Sequence, residues 1–309
     1  MIKYYITKKG ELENIEEPQK GCWINMIHPT EKECLEIEKL YNIEPDDLRA
    51  ALDEEETSRI TKEDDYNIVL VDIPSIEEKD GKNRFVTIPL GIIVHKDVLI
   101  TVCLESTPIL SFSSNKKKTV DTKFKTRMVL TMLLENAKLY LKYLRQINKQ
   151  SEQLEIVLHK SIENAALLEM MELGRSLLYF TTSLKSNTAV LDKITKMSVI
   201  KKYEEDEDLM EDVIIENRQA NEMAEIYNGV INGMMDAYSS IISNNMNVVQ
   251  KFLATASIII AIPSIIFDAY GMNVDVPFDN LSAAFPIVIT IATVATLLMY
   301  QYLKHKRMY

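Results

Sequence analysis

Two long segments without charged side chains lie close together near the end of the chain. The first, Phe252–Phe267, has 16 residues, and it reaches 20 when counted from Val248, with Lys251 near its edge. The second, Leu281–Tyr302, has 22 residues. A helix rises about 1.5 Å per residue and the hydrocarbon core of a bilayer is about 30 Å thick, so each segment can cross it. The sequence therefore predicts a two-helix transmembrane hairpin over residues 247–309.

The charges around this hairpin predict its orientation. Lys251 lies at the start of the first segment, and Lys304, Lys306 and Arg307 follow the second. The connecting loop, Asp268–Asn280, carries three acids and no Lys or Arg. Basic flanks stay on the cytoplasmic side of a membrane. We therefore expect a multi-pass protein of the cell membrane (inner or plasma membrane) with both termini in the cytoplasm.

The remainder of the chain is acidic, which excludes some functional classes. Residues 1–250 contain 31 Lys and Arg against 43 Asp and Glu, a net charge of −12. Nucleic acid requires a basic surface, so we expect no nucleic-acid partner, whereas divalent cations and a lipid bilayer suit this composition. The four histidines are scattered, and neither nucleotide-binding glycine motif occurs. The sequence therefore does not predict an enzyme.

Residues 1–117 alternate strand-like and helix-like segments, which predicts an α/β domain with a small sheet. Thr30–Tyr41 has helical spacing and a capping-box pattern, because Glu33 follows Thr30 by three residues. A second short helix is predicted at Pro45–Leu52, and Lys96-Asp97 predicts a tight turn. The predicted strands, rich in Ile, Val, Tyr and Thr, are Met1–Thr7, Cys22–Ile27, Tyr66–Ile73, Arg84–Val94 and Val98–Leu104.

Residues 118–246 have a different pattern, with apolar residues at three- and four-residue steps and almost no Gly or Pro. Three long helices are expected, and the third, beginning after Tyr203, continues into the first membrane segment. This predicts a helical stalk or bundle between the α/β domain and the hairpin.

One face of the first membrane segment carries small and polar side chains. Such a stripe has two explanations. It can pack tightly against another helix, or it can line a pore when several copies place their stripes around one axis. A single hairpin cannot enclose a pore, so the second explanation requires a closed ring of copies. The stripe consists of Asn247, Gln250, Leu253 or Ala254, Ser257, Ala261 and Ser264.

The tripeptide Gly271-Met272-Asn273 lies between the two membrane segments, with 38 residues following Gly271. In this position it makes the chain resemble the CorA-type magnesium transporter family, whose members carry a GMN motif there. The resemblance covers the whole layout: an α/β cytosolic domain, a long helical stalk and a C-terminal hairpin. The stretch LLEMMELGRSLLYFTTSLKSNTAVLDKI is also similar to the family's second long helix.

This resemblance implies a homopentameric funnel that conducts Mg²⁺ passively into the cell. The first span of each subunit would line the pore, and Gly271, Met272 and Asn273 would form the selectivity filter at its outer mouth. Asn273 would present an amide to the hydrated ion, Gly271 would permit a turn that other residues resist, and Met272 would shape it by packing. Nearby loop acids would enrich cations by their field. These acids are Asp268, Asp275 and Asp279.

The resemblance also implies how the pore closes. Leu253 fits an apolar ring that gates by dewetting, and Asn247 fits a polar ring at the inner entry. Gln250 stands where the family's pattern predicts a bulky apolar residue. The family binds regulatory Mg²⁺ between cytosolic domains of adjacent subunits. From the seven acids of Glu204–Asp212, which could otherwise simply cap a helix, the candidates are Asp212, Asp208 and Glu211, with Glu77, Glu78 or Asp80 opposite.

Three alternatives remain open at this point. Hydrated Co²⁺ or Ni²⁺ resembles hydrated Mg²⁺ in size and geometry, so either ion could also pass. A Zn²⁺ transporter of the same family is less favoured, because its motif differs at the position of Met272. A non-conducting, membrane-anchored coiled-coil scaffold would explain the stalk and hairpin, although not the motif or the polar stripe.

Overall fold

The structure is a computed structural model that describes residues 1–79, 81–112, 120–160, 163–196, 203–273, 276–277 and 283–306. The chain forms two compact units, Met1–Met235 and Asp236–Tyr309. These two units are defined by the contacts between their residues. The three-part division at residues 117 and 246 rests on composition and stays a prediction.

A seven-stranded mixed sheet forms the centre of the first unit. Its order is β2-β1-β3-β7-β6-β5-β4, in which β3 and β7 are parallel and the other neighbours are antiparallel. The strands are β1 (Ile2–Lys8), β2 (Glu11–Ile15), β3 (Trp23–Ile27), β4 (Arg59–Lys62), β5 (Tyr66–Lys79), β6 (Lys82–His95) and β7 (Leu99–Cys103).

The five strands expected from the sequence are all present, and the bend at Lys96 and Asp97 joins β6 to β7. Two further strands, β2 and β4, were not predicted, because the sequences ELENI and RITK are short and largely polar. They lie at the two edges of the sheet, where each pairs with a single neighbour. Edge strands bury less surface, so their sequences carry a weaker hydrophobic signal.

Two short helices cover one face of the sheet. Helix α1 (Glu31–Tyr41) begins with the predicted capping box between Thr30 and Glu33. Helix α2 (Pro45–Arg49) is followed by a 3₁₀ turn, Ala50–Leu52, in place of the single helix expected there. Gly91 of β6 lies below this turn, and a Cβ at Gly91 would be 2.9 Å from that of Ala51, so only glycine fits.

Two long helices, α3 (Lys125–Lys160) and α4 (Asn164–Lys196), cover the opposite face of the sheet. Tyr140 of α3 and Phe180 of α4 are fully buried, with ring centroids 5.0 Å apart in an edge-to-face arrangement. Phe85 of β6 packs on the same Phe180 ring at 6.4 Å. Aromatic contacts of this kind stabilise the packing of the helices on the sheet.

Helix α4 is joined to the sheet by the amide of Asn187. Strand β4 begins at Arg59, opposite Leu70 of β5, so it does not pair with Asp72, and side chains bond the Asp72 backbone instead. The Asp72 N–H donates to Asn187 Oδ1 at 3.0 Å, and Asn187 Nδ2 donates to the Asp72 carbonyl at 2.8 Å. Burial raises the pKa of the Asp72 carboxyl, and hydrogen bonds from Ser183 and Ser58 partly offset the rise.

We predict that Asn187→Leu lowers the free energy of unfolding by about 1–2 kcal/mol, because the N–H and the carbonyl of Asp72 each lose one hydrogen bond. The loss is limited because the N–H still donates to Ser58 Oγ and the carbonyl still accepts from Asn136 and Tyr140. Thermal unfolding of the protein in detergent, followed by circular dichroism, measures this. Asn148→Leu is the matched control, since the side chain of Asn148 donates to Glu152 at 2.7 Å on the exposed side of α3. Equal losses in the two variants would contradict a specific role for Asn187.

The longest helix, α5 (Glu207–Tyr270), has 64 residues, and α6 (Ala284–His305) has 22. Both are long and apolar enough to cross a membrane, and only 6% of the most apolar part of α5 and 11% of that of α6 is buried. A core helix of a soluble protein would be mostly buried. The exposed apolar faces therefore agree with membrane-spanning helices.

Candidate functional site

The membrane part of α5 has two distinct faces. Thr255 is buried, and Ile259, Ile262 and Ile266 are half-buried, at steps of four, three and four residues. At about 100° per residue, the stripe expected from the sequence lies on the opposite face. The stripe is therefore not used for packing within its own hairpin. Its members, all exposed, are Asn247, Gln250, Leu253, Ala254, Ser257, Ala261 and Ser264.

The hydroxyl groups of the two serines of the stripe donate hydrogen bonds to backbone carbonyls of α5. Ser257 Oγ donates to the carbonyl of Leu253 at 2.8 Å, and Ser264 Oγ donates to that of Ile260 at 3.1 Å. A hydroxyl oxygen also has two lone pairs. Both serines therefore present acceptors on the exposed face, where they could receive hydrogen bonds from water.

The stripe on α5 continues towards the N-terminus of the helix, beyond Asn247. Steps of seven residues backwards from Ser264 and Ser257 reach Gln250, then Ser243 and Asp236, which are also exposed. A seven-residue repeat keeps one seam of a helix facing its neighbours in a helical ring. Asp236 is therefore an additional candidate pore residue. The signal in the sequence is the seven-residue spacing of polar residues, which continues from Gln250 to Ser243 and Asp236.

The GMN tripeptide lies where α5 ends. The Gly271 N–H donates to the carbonyls of Phe267 at 2.9 Å and Asp268 at 3.1 Å. The expectation that Gly271 permits a turn unavailable to other residues finds no support. Its φ is not in the left-handed region, and a Cβ would meet those two carbonyl oxygens at an ordinary 3.5 Å. Any requirement for glycine must come from outside this chain.

The side chains of Asp268, Met272 and Asn273 are exposed at the end of α5. Met272 is 61% exposed, so it does not shape the turn by packing within its own chain. A cavity of about 380 Å³ lies behind Gly271, between Phe267, Tyr270 and the start of α6. The other two loop acids, Asp275 and Asp279, lie outside the described residues.

The acidic segment Glu204–Asp212, which spans the start of α5, contains two groups of acids. Asp206 is buried and pairs with Arg127 of α3 at 2.9 Å, so it anchors the start of the helix. Asp208, Glu211 and Asp212 are exposed on the first turns of α5. Their hard oxygen ligands suit Mg²⁺. Among the described residues of the single chain, however, no group of three or more Asp, Glu, His or Cys is placed to hold a metal ion.

The predicted partner acids lie at the other end of the first unit. Glu77 and Glu78 are exposed near the β5–β6 hairpin tip, and Asp80 lies outside the described residues. That tip contacts the start of α4, through Lys82 with Glu169 at 2.8 Å and Arg84 with Glu172 at 3.6 Å. Glu211 instead lines a cavity with Ile194 and Thr195, at the end of α4. The two α4 regions are about 35 Å apart.

A different set of acids lies close to the start of α5. Glu63, Asp64 and Asp65 line a cleft of about 1010 Å³ together with Tyr203 and Thr126, which also line the cavity at Glu211. Asp65 pairs with Lys96 at 3.0 Å. In the same cleft a hydrogen bond from Lys20 lowers the pKa of Asp97. The cleft is lined by acids and lysines together, and Tyr203 and Thr126 link it to the cavity at Glu211.

Comparison with known proteins identifies the family. Residues 18–305 match the family described as CorA-like Mg²⁺ transporter protein. The chain belongs to this family. A relative from Methanocaldococcus jannaschii, named cobalt/magnesium transport protein CorA, is 26% identical over 284 residues, which is 90% of this chain and 88% of the relative.

Solved structures agree with the CorA fold. The complete CorA magnesium transporter from Methanocaldococcus jannaschii superposes with a TM-score of 0.85 at 23% identity, covering 98% of this chain and 97% of the other. The full-length CmaX protein gives a TM-score of 0.72 at 13% identity, covering 97% of both chains. The family recognised from the sequence is therefore confirmed, and so is the fold of the single chain, with its α/β domain and the long helix of CorA proteins. The homopentameric funnel stays a prediction.

Proposed function

We propose that the protein is a divalent-cation channel that admits Mg²⁺ into the cell through a pore lined by α5 from five copies of the chain. One observation carries this proposal: a continuous exposed stripe on α5, opposite the face that packs within the hairpin, leads to the GMN motif. Identical stripes that converge on one axis form a pore, whereas a single hairpin leaves them facing lipid.

The stripe suits an ion that keeps its water. Mg²⁺ dehydrates reluctantly, so its outward surface consists of water hydrogens. The oxygens of Asn273, Ser257 and Ser264 can accept hydrogen bonds from these hydrogens without replacing the waters. Neutral oxygens also bind weakly enough for the ion to leave, which conduction requires. Asp268, with Asp275 and Asp279, would raise the local cation concentration at the outer mouth.

The direction of transport follows from orientation. In the cell membrane (inner or plasma membrane), with both termini in the cytoplasm, the GMN motif faces outward. An inside-negative potential of about 100 mV drives a doubly charged ion inward by roughly 4.6 kcal/mol. The protein therefore needs no ATP for influx. A ring of Leu253 side chains, 57% exposed in the single chain, would close the pore by dewetting.

Closure requires a signal from inside the cell, and the exposed acids of α5 could supply it. Mg²⁺ bound between Asp208, Glu211 or Asp212 and acids of a neighbouring copy would hold the domains together, and its loss would let the acids repel. Neighbouring copies in a closed ring are related by a rotation about the ring axis, without a shift along it. Two groups that meet between neighbouring copies therefore lie at similar heights along the axis. This favours Glu63, Asp64 and Asp65 over Glu77 and Glu78 as partners.

The preferred ion is proposed to be Mg²⁺, and Co²⁺ is the second candidate because the Methanocaldococcus jannaschii relative is named for both ions. Ni²⁺ has a hydrate of similar size and would compete. Met272 continues to argue against Zn²⁺. Competition between these ions for uptake would order them directly.

Uptake of Mg²⁺ into proteoliposomes under an inside-negative potential tests the function. We expect the parent protein to conduct and Ala261→Trp to conduct at least tenfold more slowly, because five indole rings would fill the pore. The matched control is Val294→Trp, on the exposed surface of α6 at a similar depth. That variant should conduct like the parent. A correctly assembled parent protein that admits no ion would instead support the scaffold alternative.

A further inference from the structure

Three lysines among the described residues of the second unit lie at one depth. The cavity lined by Tyr270 and Ala284 places the end of α5 beside the start of α6. Lys251 precedes Tyr270 by about 28 Å of helix, and Lys304 follows Ala284 by about 30 Å. Both distances equal the thickness of the bilayer core. Lys251, Lys304 and Lys306 therefore form one belt at the inner membrane boundary, which we call the basic belt.

The basic belt has no acidic residue near it along the chain within the hairpin helices. Between Ala237 and Phe267, and again from Ala284 to Lys306, the sequence contains no Asp or Glu. All three lysines are exposed. In a ring of identical copies, the hairpin of a neighbouring subunit presents the same lysines at the same depth and likewise no acid. Neighbouring hairpins therefore cannot neutralise the belt.

We propose that the basic belt binds the headgroups of anionic phospholipids in the inner leaflet. Their phosphates lie at the depth where the lysines emerge, and they supply the negative charge that the hairpins lack. Tyr302, which is exposed one turn before Lys306, adds an aromatic side chain of the kind that lies at headgroup level. Lys251 is on the pore-forming helix, so bound lipid would contact the inner end of that helix directly.

The expected preference is measurable without transport. Electron spin resonance of spin-labelled phosphatidylglycerol and phosphatidylcholine gives their relative association with the protein reconstituted in phosphatidylcholine vesicles. We expect a preference for phosphatidylglycerol that falls about tenfold in Lys304→Gln/Lys306→Gln, and that weakens in the parent as salt is raised. The matched control, Lys138→Gln/Lys149→Gln, removes two exposed lysines from α3 and should keep the full preference.

Two further arms make the result decisive. Glycerol phosphate at millimolar concentration distinguishes a membrane lipid from a free phosphate: it should not displace the labelled lipid, and displacement would contradict the proposal. If the double variant fails to assemble, Lys251→Gln and the salt titration of the parent provide the same test. A parent protein that binds both labelled lipids equally overturns the proposal. This inference rests on the proposed orientation and ring of the protein and not on ion conduction, so it can fail while the channel function holds.

Discussion

Replacing Asn273 with alanine is expected to reduce Mg²⁺ uptake to background. Each of five amides at the outer mouth would lose an acceptor for the water of the hydrated ion. A single hydrogen bond contributes roughly 1 kcal/mol, so a ring of five changes ion recognition by about 5 kcal/mol. Because Asn273 is exposed at the end of α5, its removal should leave the fold of the chain unchanged. Uptake into proteoliposomes, with a fluorescent indicator inside, measures the effect.

The control for this experiment is Asn245→Ala. Asn245 is also an exposed asparagine of α5, but it lies away from the stripe. It should conduct like the parent. Asn273→Asp is informative too, because a ring of carboxylates would hold the cation too tightly and slow its release. Unchanged uptake in Asn273→Ala, with normal assembly, would remove the selectivity role of this residue.

Local sequence signals predicted much of the fold. The capping box at Thr30 and Glu33 and the uncharged run before Tyr270 each act within a few turns of chain, so their outcome is visible in the sequence. The amide of Asn187 could not be found in this way. It completes a strand edge 115 residues away, and nothing in its neighbours along the chain marks it as different from other polar residues of α4.

The candidate site also combines features that local sequence predicts with features that depend on distant segments. The stripe on α5 was predictable because helical periodicity alone places its residues on one face. The partner of Asp212 is not encoded in a local pattern, since the pairing depends on where two distant segments lie in the domain. The β5–β6 hairpin is long, with 14 residues in each strand, and this length carries Glu77 and Glu78 away from the start of α5.

Asp212→Ala is expected to shift inhibition by internal Mg²⁺ to concentrations about tenfold higher. A carboxylate near a cation contributes several kcal/mol at short range, so a loss of about 1.4 kcal/mol is a modest estimate for one exposed ligand. Flux measured against internal Mg²⁺ gives the midpoint directly. Glu222→Ala, which removes an exposed acid further along α5, should leave the midpoint unchanged. An Asp212→Ala curve that overlays the parent curve argues against the regulatory site.

The partner acids can be identified in the same assay by two matched double variants. Asp64→Asn/Asp65→Asn changes the cleft beside the start of α5, and Glu77→Gln/Glu78→Gln changes the distant hairpin tip. If Mg²⁺ bridges acids at similar heights, only the first pair shifts the midpoint, and combining it with Asp212→Ala adds little, because both changes dismantle one site. A shift from the hairpin pair instead would mean that α5 does not run along the ring axis, since only a strong tilt brings groups about 35 Å apart to one height.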